Sequence, residues 1–458
     1  MNYANIPITP IQHWFFAQNF EDINHFNQSL ALVITEPVIS ELFIQTIKHI
    51  ISQHAILRTQ FLFDKSNWVQ CTVDPEKVIV ENVFQEYHLD CSNQKGFHEI
   101  IEKIATKMQT SLDIQKAPLF RIAHVRDVEK NYLIFVVHHL VIDGLSWQIF
   151  LEDLTITYKK LLNQRAIEFT STISYLEWAK YLVDYAKTED LGEQRHFWLQ
   201  YENLSDMSLP IDIKQGNNII EQSSTITVQL DRLLTHRLLT DPSKAFNVSI
   251  DELLIIAIIF TIYDWIGQNT VYLSLENSGR EDIISGIDLS RTIGWFTVIF
   301  PAILNLPSFS SLDQQIISVR EQLRHITKYS SFYGMFRYLK KYKNSSVQLI
   351  QTQTPQIILD YFVNLDELYA NKSILGKPVF IPLGESVSPR NQRLYLLEIS
   401  HWVVDGQFNS AWTFSLNHHY PETIQHLSER FLYYLTKLIN HSWEKNNFSL
   451  SAQRESST

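Results

Sequence analysis

The order of hydrophobic and polar positions predicts strands and helices in succession along the chain. Nearly continuous apolar runs at residues 29–35 and 132–137 are typical of buried strands. Apolar positions recur at helical spacing in residues 41–53 and 145–162, which predicts helices. In this part of the chain, each predicted strand is therefore followed by a helix.

The second half of the chain repeats this pattern. Strands are predicted at residues 224–230 and 270–275, and helices at residues 252–265 and 421–441. A polar stretch that contains Asn, Asp and Pro, at residues 202–218, indicates a connector between the two halves.

Two other stretches affect the predicted organisation. Residues 364–392 are interrupted by Gly, Pro and Ser, which predicts a long loop, and such loops are usually functional or mobile. The longest apolar run, residues 253–260, is far shorter than the roughly 18 residues that a membrane-spanning helix needs. It follows a capping-box pattern at residues 249–252, so we predict a buried core helix and no membrane span.

Composition and charge narrow the functional classes. The chain has 458 residues, of which 45% are hydrophobic and 19% charged, so a sizeable core is expected. Only 12 residues are glycine, and neither GxGxxG nor the GxxxxGK phosphate-binding motif occurs. The formal net charge of −11 disfavours a nucleic-acid groove, because such a groove needs a basic field.

The number of cysteines and the N-terminal sequence indicate the cellular compartment in which the protein is expected. Cys71 and Cys91 are too few for a disulfide framework, and no CxxC motif indicates zinc. Residues 1–7 have neither the basic region nor the apolar core of a signal peptide. We therefore expect a cytoplasmic protein.

The densest candidate chemistry lies at residues 138–144, which read HHLVIDG. Strand alternation puts His138 and His139 on opposite faces, so only one of them enters a given cavity and a shared metal ion is not expected. An imidazole at a strand end can carry a proton near neutral pH, and the next helix N-terminus favours a developing negative charge. The alternative is a core histidine that is hydrogen-bonded by Asp143.

This motif and its surroundings resemble the condensation superfamily of nonribosomal peptide synthetases, and the flanking blocks are similar to its epimerization branch. The resemblance covers about residues 7–441. Its blocks are TPIQHWFF at 9–16, HFNQS at 25–29, HHLVIDGLSW at 138–147, SYLEW at 174–178, DLSRTIGWFT at 288–297 and YGMFRYL at 333–339.

The resemblance implies an α/β fold of two chloramphenicol-acetyltransferase-like lobes, arranged as a V-shaped pseudo-dimer with a central tunnel. The first lobe is expected at residues 1–180 and the second at residues 181–458. The 4′-phosphopantetheine arm of a peptidyl carrier protein is expected to bring a thioester-bound amino acid or peptide into the tunnel. Neighbouring synthetase domains are the other expected partners, and a monomer without a metal or cofactor of its own is expected.

The resemblance also implies the site residues. His139 takes the position of the second, catalytic histidine of the motif, and Glu276 matches the first Glu of the family's EGHGRE block; the alternative for Glu276 is a solvated carboxylate. Supporting roles are expected for His138, Asp143, Gly144 and Arg280, with Arg280 as the ion-pair partner of Asp143. Substrate contacts are expected for Ser146, Trp147, Ser278, Trp295, Asp360 and Tyr361.

The implied reaction is epimerization at the α-carbon of the thioester. Inversion requires removal of a proton from one face and its return on the other, which one imidazole and one carboxylate on opposite sides can provide. Two alternatives remain open. A condensation domain would use His139 without a need for Glu276, and a docking module would keep the fold without catalysis.

Three positions depart from the family pattern. Asn277 and Ser278 replace Gly and His in the EGHGRE block, and Asp360 replaces Asn in the FNYLG block. An aspartate at this point adds negative charge where the intermediate also develops it, so activity that is slowed, altered in substrate or lost stays open.

A second sequence, HWVVDG at residues 401–406, repeats the HxxxDG spacing. It lacks the first histidine of the pair. We interpret it as a vestige of a common ancestor of the two lobes.

Overall fold

The computed structural model describes residues 6–34, 36–64, 67–89, 94–127, 131–168, 172–188, 191–201, 207–214, 216–308, 310–339, 354–360, 362–368 and 375–455. The strands are β1 Asn27–Ile34, β2 Thr59–Asp64, β3 Asn67–Thr72, β4 Phe84–His88, β5 Phe120–Arg126, β6 Asn131–His138, β7 Ser223–Gln229, β8 Thr270–Asn277, β9 Val298–Asn305, β10 Ile357–Leu359, β11 Val363–Asn364, β12 Lys377–Val379, β13 Leu397–Val404 and β14 Gln407–Ser415. The α-helices are α1 Pro10–Ala17, α2 Ser40–Gln53, α3 Gln94–Gln109, α4 Gly144–Leu162, α5 Tyr175–Thr188, α6 Gly192–Leu199, α7 Arg232–Phe246, α8 Ile250–Ile266, α9 Leu312–Thr327, α10 Ser330–Gly334, α11 Leu365–Leu368 and α12 Pro421–Glu455.

The first sheet has the strand order β12-β1-β6-β5-β4 within the described residues. It is covered on both faces, which explains the continuous apolar runs in its strands. Because side chains alternate along β6, Phe135 packs in the main core with Phe43 of α2 and Phe150 of α4. Its neighbour Ile134 packs on the other face with Ile101 of α3.

The second sheet has the order β7-β14-β13-β10-β8-β9, and β11 also pairs with β13. Strands β8, β10 and β13 run parallel, with Leu275 opposite Leu359 and Leu359 opposite Ile399. Glu276 is the next residue of β8, and Asp360 directly follows the end of β10, so the two come next in the same order along neighbouring strands. Helices α7, α8 and α12 pack against one another and against this sheet.

Helix α8 is the buried core helix that the sequence predicts. The Ser249 hydroxyl accepts a hydrogen bond from the Glu252 backbone N–H at 3.1 Å, and Glu252 accepts one from the Ser249 backbone N–H at 2.7 Å. The helix ends at Gly267, whose φ is +68°. Among the described residues no single helix is long and apolar enough to cross a membrane, although α7 and α8 together, bent by 93°, meet the length and composition criteria.

The predicted loop at residues 364–392 contains short elements that bind the first sheet. Strand β12 pairs with β1, with Lys377 opposite Val33. The backbone N–H of Asn27 also donates to the Ser386 carbonyl at 2.8 Å. This part of the second half therefore adds an edge strand to the sheet built by the first half. Residue 180 lies within α5, and the division into lobes at residues 180 and 181 stays a prediction.

Gly376 directly precedes β12 and lets the backbone pass close to β1. Replacing this glycine tests the contact between the two strands. Its φ is +114°, and an added Cβ would lie 2.1 Å from the Val33 carbonyl oxygen. Gly286 is a matched control, because its φ is +81° and its Cβ would meet nothing within 4 Å. We expect Gly376→Ala to lower the free energy of unfolding by about 2 kcal/mol more than Gly286→Ala does. Equal losses in urea unfolding would contradict this close approach.

Candidate active site between the two sheets

His138 is a buried, neutral histidine of the core. Its Nε2 donates to the Ile23 carbonyl at 2.9 Å, and its Nδ1 accepts from the Leu140 backbone N–H at 3.2 Å. Burial lowers the pKa of His138 to about 3. Its part in the site is therefore to hold the end of β6 in place.

His139 begins a short 3₁₀ turn after β6 and presents a basic nitrogen. Its Nδ1 donates to the Ile142 carbonyl at 2.8 Å, which assigns the other nitrogen, Nε2, as the acceptor. Nε2 lies 3.0 Å from the side-chain amide nitrogen of Gln28. Burial lowers the pKa of His139, so the imidazole stays neutral near pH 7. The ring stacks on Trp295, with the ring centres 4.3 Å apart.

Asp143 connects the motif to the segment that reads GWFT. One carboxylate oxygen accepts from the Ser146 backbone N–H at 2.7 Å and so caps α4, and the other accepts from the Phe296 backbone N–H at 2.9 Å. Arg280, the expected ion-pair partner, lies 3.4 Å from the carboxylate. The Asp143 carboxylate is therefore bonded to both halves of the chain.

Arg280 makes further contacts in addition to the one with Asp143. Its guanidinium donates to the backbone carbonyls of Leu289 at 2.7 Å and Thr292 at 2.9 Å, and to the Ser146 hydroxyl at 2.9 Å. It also lies over the Phe296 ring. These contacts hold the segment before GWFT against the start of α4.

Ser146 and Trp147 differ from their expected role in substrate binding. Both are buried, and neither is among the residues that line the cavity described below. The Ser146 hydroxyl donates to the Gly294 carbonyl at 2.8 Å, and the Trp147 indole N–H donates to Gln28 at 2.7 Å. Sequence spacing could not separate them from their neighbour Gly144, which does line the cavity, because all three lie in the first turn of α4.

A cavity of about 560 Å³ lies between the two sheets. The first sheet and the start of α4 contribute Gln28, His139, Asp143 and Gly144, and the second sheet and its loops contribute Glu276, Asn277, Ser278, Trp295, Asp360, Glu398, Ser400 and Tyr395. The structure thus brings His139 and Glu276 to one cavity although they are far apart in sequence. Tyr361 lies outside the described residues.

The second sheet gives the cavity an acidic wall. Asp360 accepts a hydrogen bond from the Ser400 hydroxyl at 2.5 Å, and burial raises its pKa. Burial also raises the pKa of Glu398, while Arg393, 3.1 Å away, opposes the shift. No role is predicted from the sequence for Gln28, Tyr395 or Glu398, although all three line the cavity. For Gln28 the available signal was its place in the HFNQS block.

Two further observations concern candidate metal ligands and the HxxxDG repeat. Within the described part of the chain, no group of three or more His, Cys, Asp or Glu side chains is arranged to hold a metal ion. His401 lies within β13, and Asp405 and Gly406 form the hairpin turn to β14. The HxxxDG repeat therefore has a different place in the fold from His139, because antiparallel β14 and not a helix follows it.

The matches to known proteins agree with this architecture. A model of the condensation-domain family matches residues 2–455. The chain belongs to the condensation-domain family. The predicted resemblance and the α/β fold class, like that of chloramphenicol acetyltransferase, are confirmed.

Individual relatives of this condensation-family domain are large synthases. It is 32% identical to chondramide synthase cmdD of Chondromyces crocatus over 96% of the chain, but spans 11% of that protein. It is also 30% identical to bacitracin synthase 1 of Bacillus licheniformis, over 98% of the chain, and spans 8% of that protein.

Solved structures show the same fold. The epimerization domain from the third module of tyrocidine synthetase B superposes with a TM-score of 0.87 at 28% identity, over 97% of this chain and 98% of that one. The first condensation domain of the calcium-dependent antibiotic synthetase has a TM-score of 0.72 at 17% identity, over 95% of this chain and 97% of that one, and supports the fold alone.

Removal of the Asp143 side chain is expected to destabilise the domain. Asp143→Ala leaves two buried backbone N–H groups and the Arg280 charge without their acceptor, at a cost of about 3 kcal/mol. The exposed Asp184, 3.8 Å from Lys187, is the control, and Asp184→Ala should stay within about 0.5 kcal/mol of the parent. An unchanged melting temperature in Asp143→Ala would contradict this structural role.

Proposed function

We propose that this condensation-family domain inverts the α-carbon of an aminoacyl or peptidyl thioester held on the phosphopantetheine arm of a carrier protein. The observation that carries the proposal is the pair of groups in one cavity. An imidazole with an available basic nitrogen, His139, comes from the first sheet, and a carboxyl group, Glu276, comes from the second. The likeness to an epimerization domain at 28% identity supports it.

The reaction follows from proton transfer on two faces. A thioester acidifies its α-hydrogen, so one group can remove that proton while the electron pair moves to the carbonyl oxygen as an enolate. The group on the other side then returns a proton to the opposite face of the α-carbon. Exchange with solvent restores both groups. The substrate, the carrier protein and neighbouring synthetase domains are the partners that this function requires.

The proposal is tested with an L-aminoacyl or peptidyl carrier protein in deuterated water. We expect α-deuterium and the D-product with the parent, and complete loss of both in His139→Ala and in Glu276→Gln with unchanged melting temperature. The exposed His236 and Glu81 supply controls, His236→Ala and Glu81→Gln, that should keep the parent rate.

The same experiment separates the alternatives. A condensation domain would form a new amide, and only when an acceptor amine is present. A docking module would yield neither deuterium nor amide. Near-parent exchange in both site variants would mean that the two residues are not the acid and the base.

Asp360 is expected to slow this reaction. It lines the same cavity as His139 and Glu276, so its charge opposes the enolate, whereas an Asn amide would donate to it. We expect Asp360→Asn to raise the rate of α-deuterium exchange by up to about 10²-fold, and more when combined with Ser278→His. Affinity for the carrier protein should change little.

The control for charge is Asp282→Asn, which removes an exposed carboxylate. A rate that falls or stays flat in Asp360→Asn and in the double variant would contradict this electrostatic argument.

A further inference from the structure

Gln28 occupies the space between the histidine and α4. It lies at the start of β1, opposite Val137 of β6, and its partly exposed side chain lines the cavity. The Trp147 indole N–H, which can only donate, points to the Gln28 side-chain oxygen at 2.7 Å. This contact assigns the amide orientation, so the NH₂ group of Gln28 faces His139.

The amide of Gln28 therefore donates to Nε2 of His139, at 3.0 Å. Nδ1 of His139 already donates to the Ile142 carbonyl, so Nε2 carries the lone pair in the neutral ring. A protonated imidazole has no lone pair at Nε2 and cannot accept this hydrogen bond. In the substrate-free protein, Gln28 thus holds the atom that must take up the substrate proton.

The amide has a second hydrogen. No hydrogen bond within the described residues engages it, and the side chain borders the cavity. Side-chain amides stabilise negatively charged oxygens in active sites when their N–H groups point to where the charge develops. The donor atom and the basic atom are 3.0 Å apart. In a thioester, the α-hydrogen and the carbonyl oxygen are on adjacent carbons, so both contacts can form at once.

We infer that the side-chain amide of Gln28 donates a hydrogen bond to the enolate oxygen. When the amide moves from His139 to the substrate oxygen, Nε2 of His139 becomes free to remove the α-proton. This inference rests on the proposed epimerization. In the step, the α-carbon–hydrogen bond breaks, a bond from hydrogen to Nε2 forms, and the electron pair moves to the oxygen that the amide contacts. Glu276 then supplies a proton to the opposite face. Trp147, expected to touch the substrate, instead orients Gln28.

The decisive variant is Gln28→Glu. Glutamate has the same shape and still accepts from Trp147, but an ionised carboxylate cannot donate to an oxygen. It also stabilises a protonated His139, which raises the pH at which His139 becomes neutral. A residue that merely positions His139 would therefore shift the pH profile of α-deuterium exchange toward higher pH, with the parent rate regained on the alkaline plateau.

Loss of the enolate donor predicts a different result. We expect the plateau rate of Gln28→Glu to stay about 10²-fold below that of the parent at every pH, with a similar KM for the loaded carrier protein. NMR titration of histidine labelled in the ring should show a raised His139 pKa in the free protein. Gln28→Met, which has neither donor nor charge, should lose the same plateau rate with a smaller rise in the His139 pKa than Gln28→Glu, because it removes the donor to Nε2 without adding a negative charge.

The matched control is Gln45→Glu, which makes the same change at an exposed residue of α2 that does not line the cavity. It should keep the plateau rate of the parent. A parent-like plateau in Gln28→Glu, or an equal loss in Gln45→Glu, would overturn the assignment of Gln28 while the proposed function stands. A parent that exchanges no α-hydrogen would overturn the proposed function and this assignment with it.

Discussion

The position of the site depends on one buried carboxylate. Asp143 caps α4 with one oxygen and binds the Phe296 backbone N–H with the other, with Arg280 beside it. Phe296 follows Trp295, the residue on which the His139 ring stacks. Because these bonds join chain segments about 150 residues apart, they hold the histidine of the first sheet against the wall that contains Glu276. A buried charge of this kind is tolerated only when its partners are all present.

Burial determines the protonation of the groups around the cavity. It lowers the pKa of His139 and raises the pKa values of Asp360 and Glu398, so it favours the neutral form of each. A neutral imidazole is a competent base, whereas the surroundings that raise the pKa of Asp360 also oppose the negative charge of an enolate. The same low-dielectric surroundings make each hydrogen-bond donor at the cavity more effective.

The second half of the chain contributes to both sheets. Strand β12, from the second half of the chain, completes the edge of the first sheet, and Val387, in the segment after this strand, lines the cavity. The acidic wall belongs to three parallel strands whose register brings Glu276 and Asp360 together. Chemistry at this cavity therefore depends on strand pairing as much as on the motif itself.

Local structure and the identity of the motif follow from the chain alone. The capping box before α8, the buried run of β6 and the turn at Asp143 depend on hydrogen bonds and periodicity over a few residues, so each could be predicted. Which side chains reach the cavity is a matter of tertiary structure. Ser146 and Trp147 do not line it, Gln28 does, and β12 crosses to the other sheet. These outcomes depend on contacts between residues about 110 to 350 positions apart. Sequence periodicity reflects local structure, so it does not predict contacts between such distant residues.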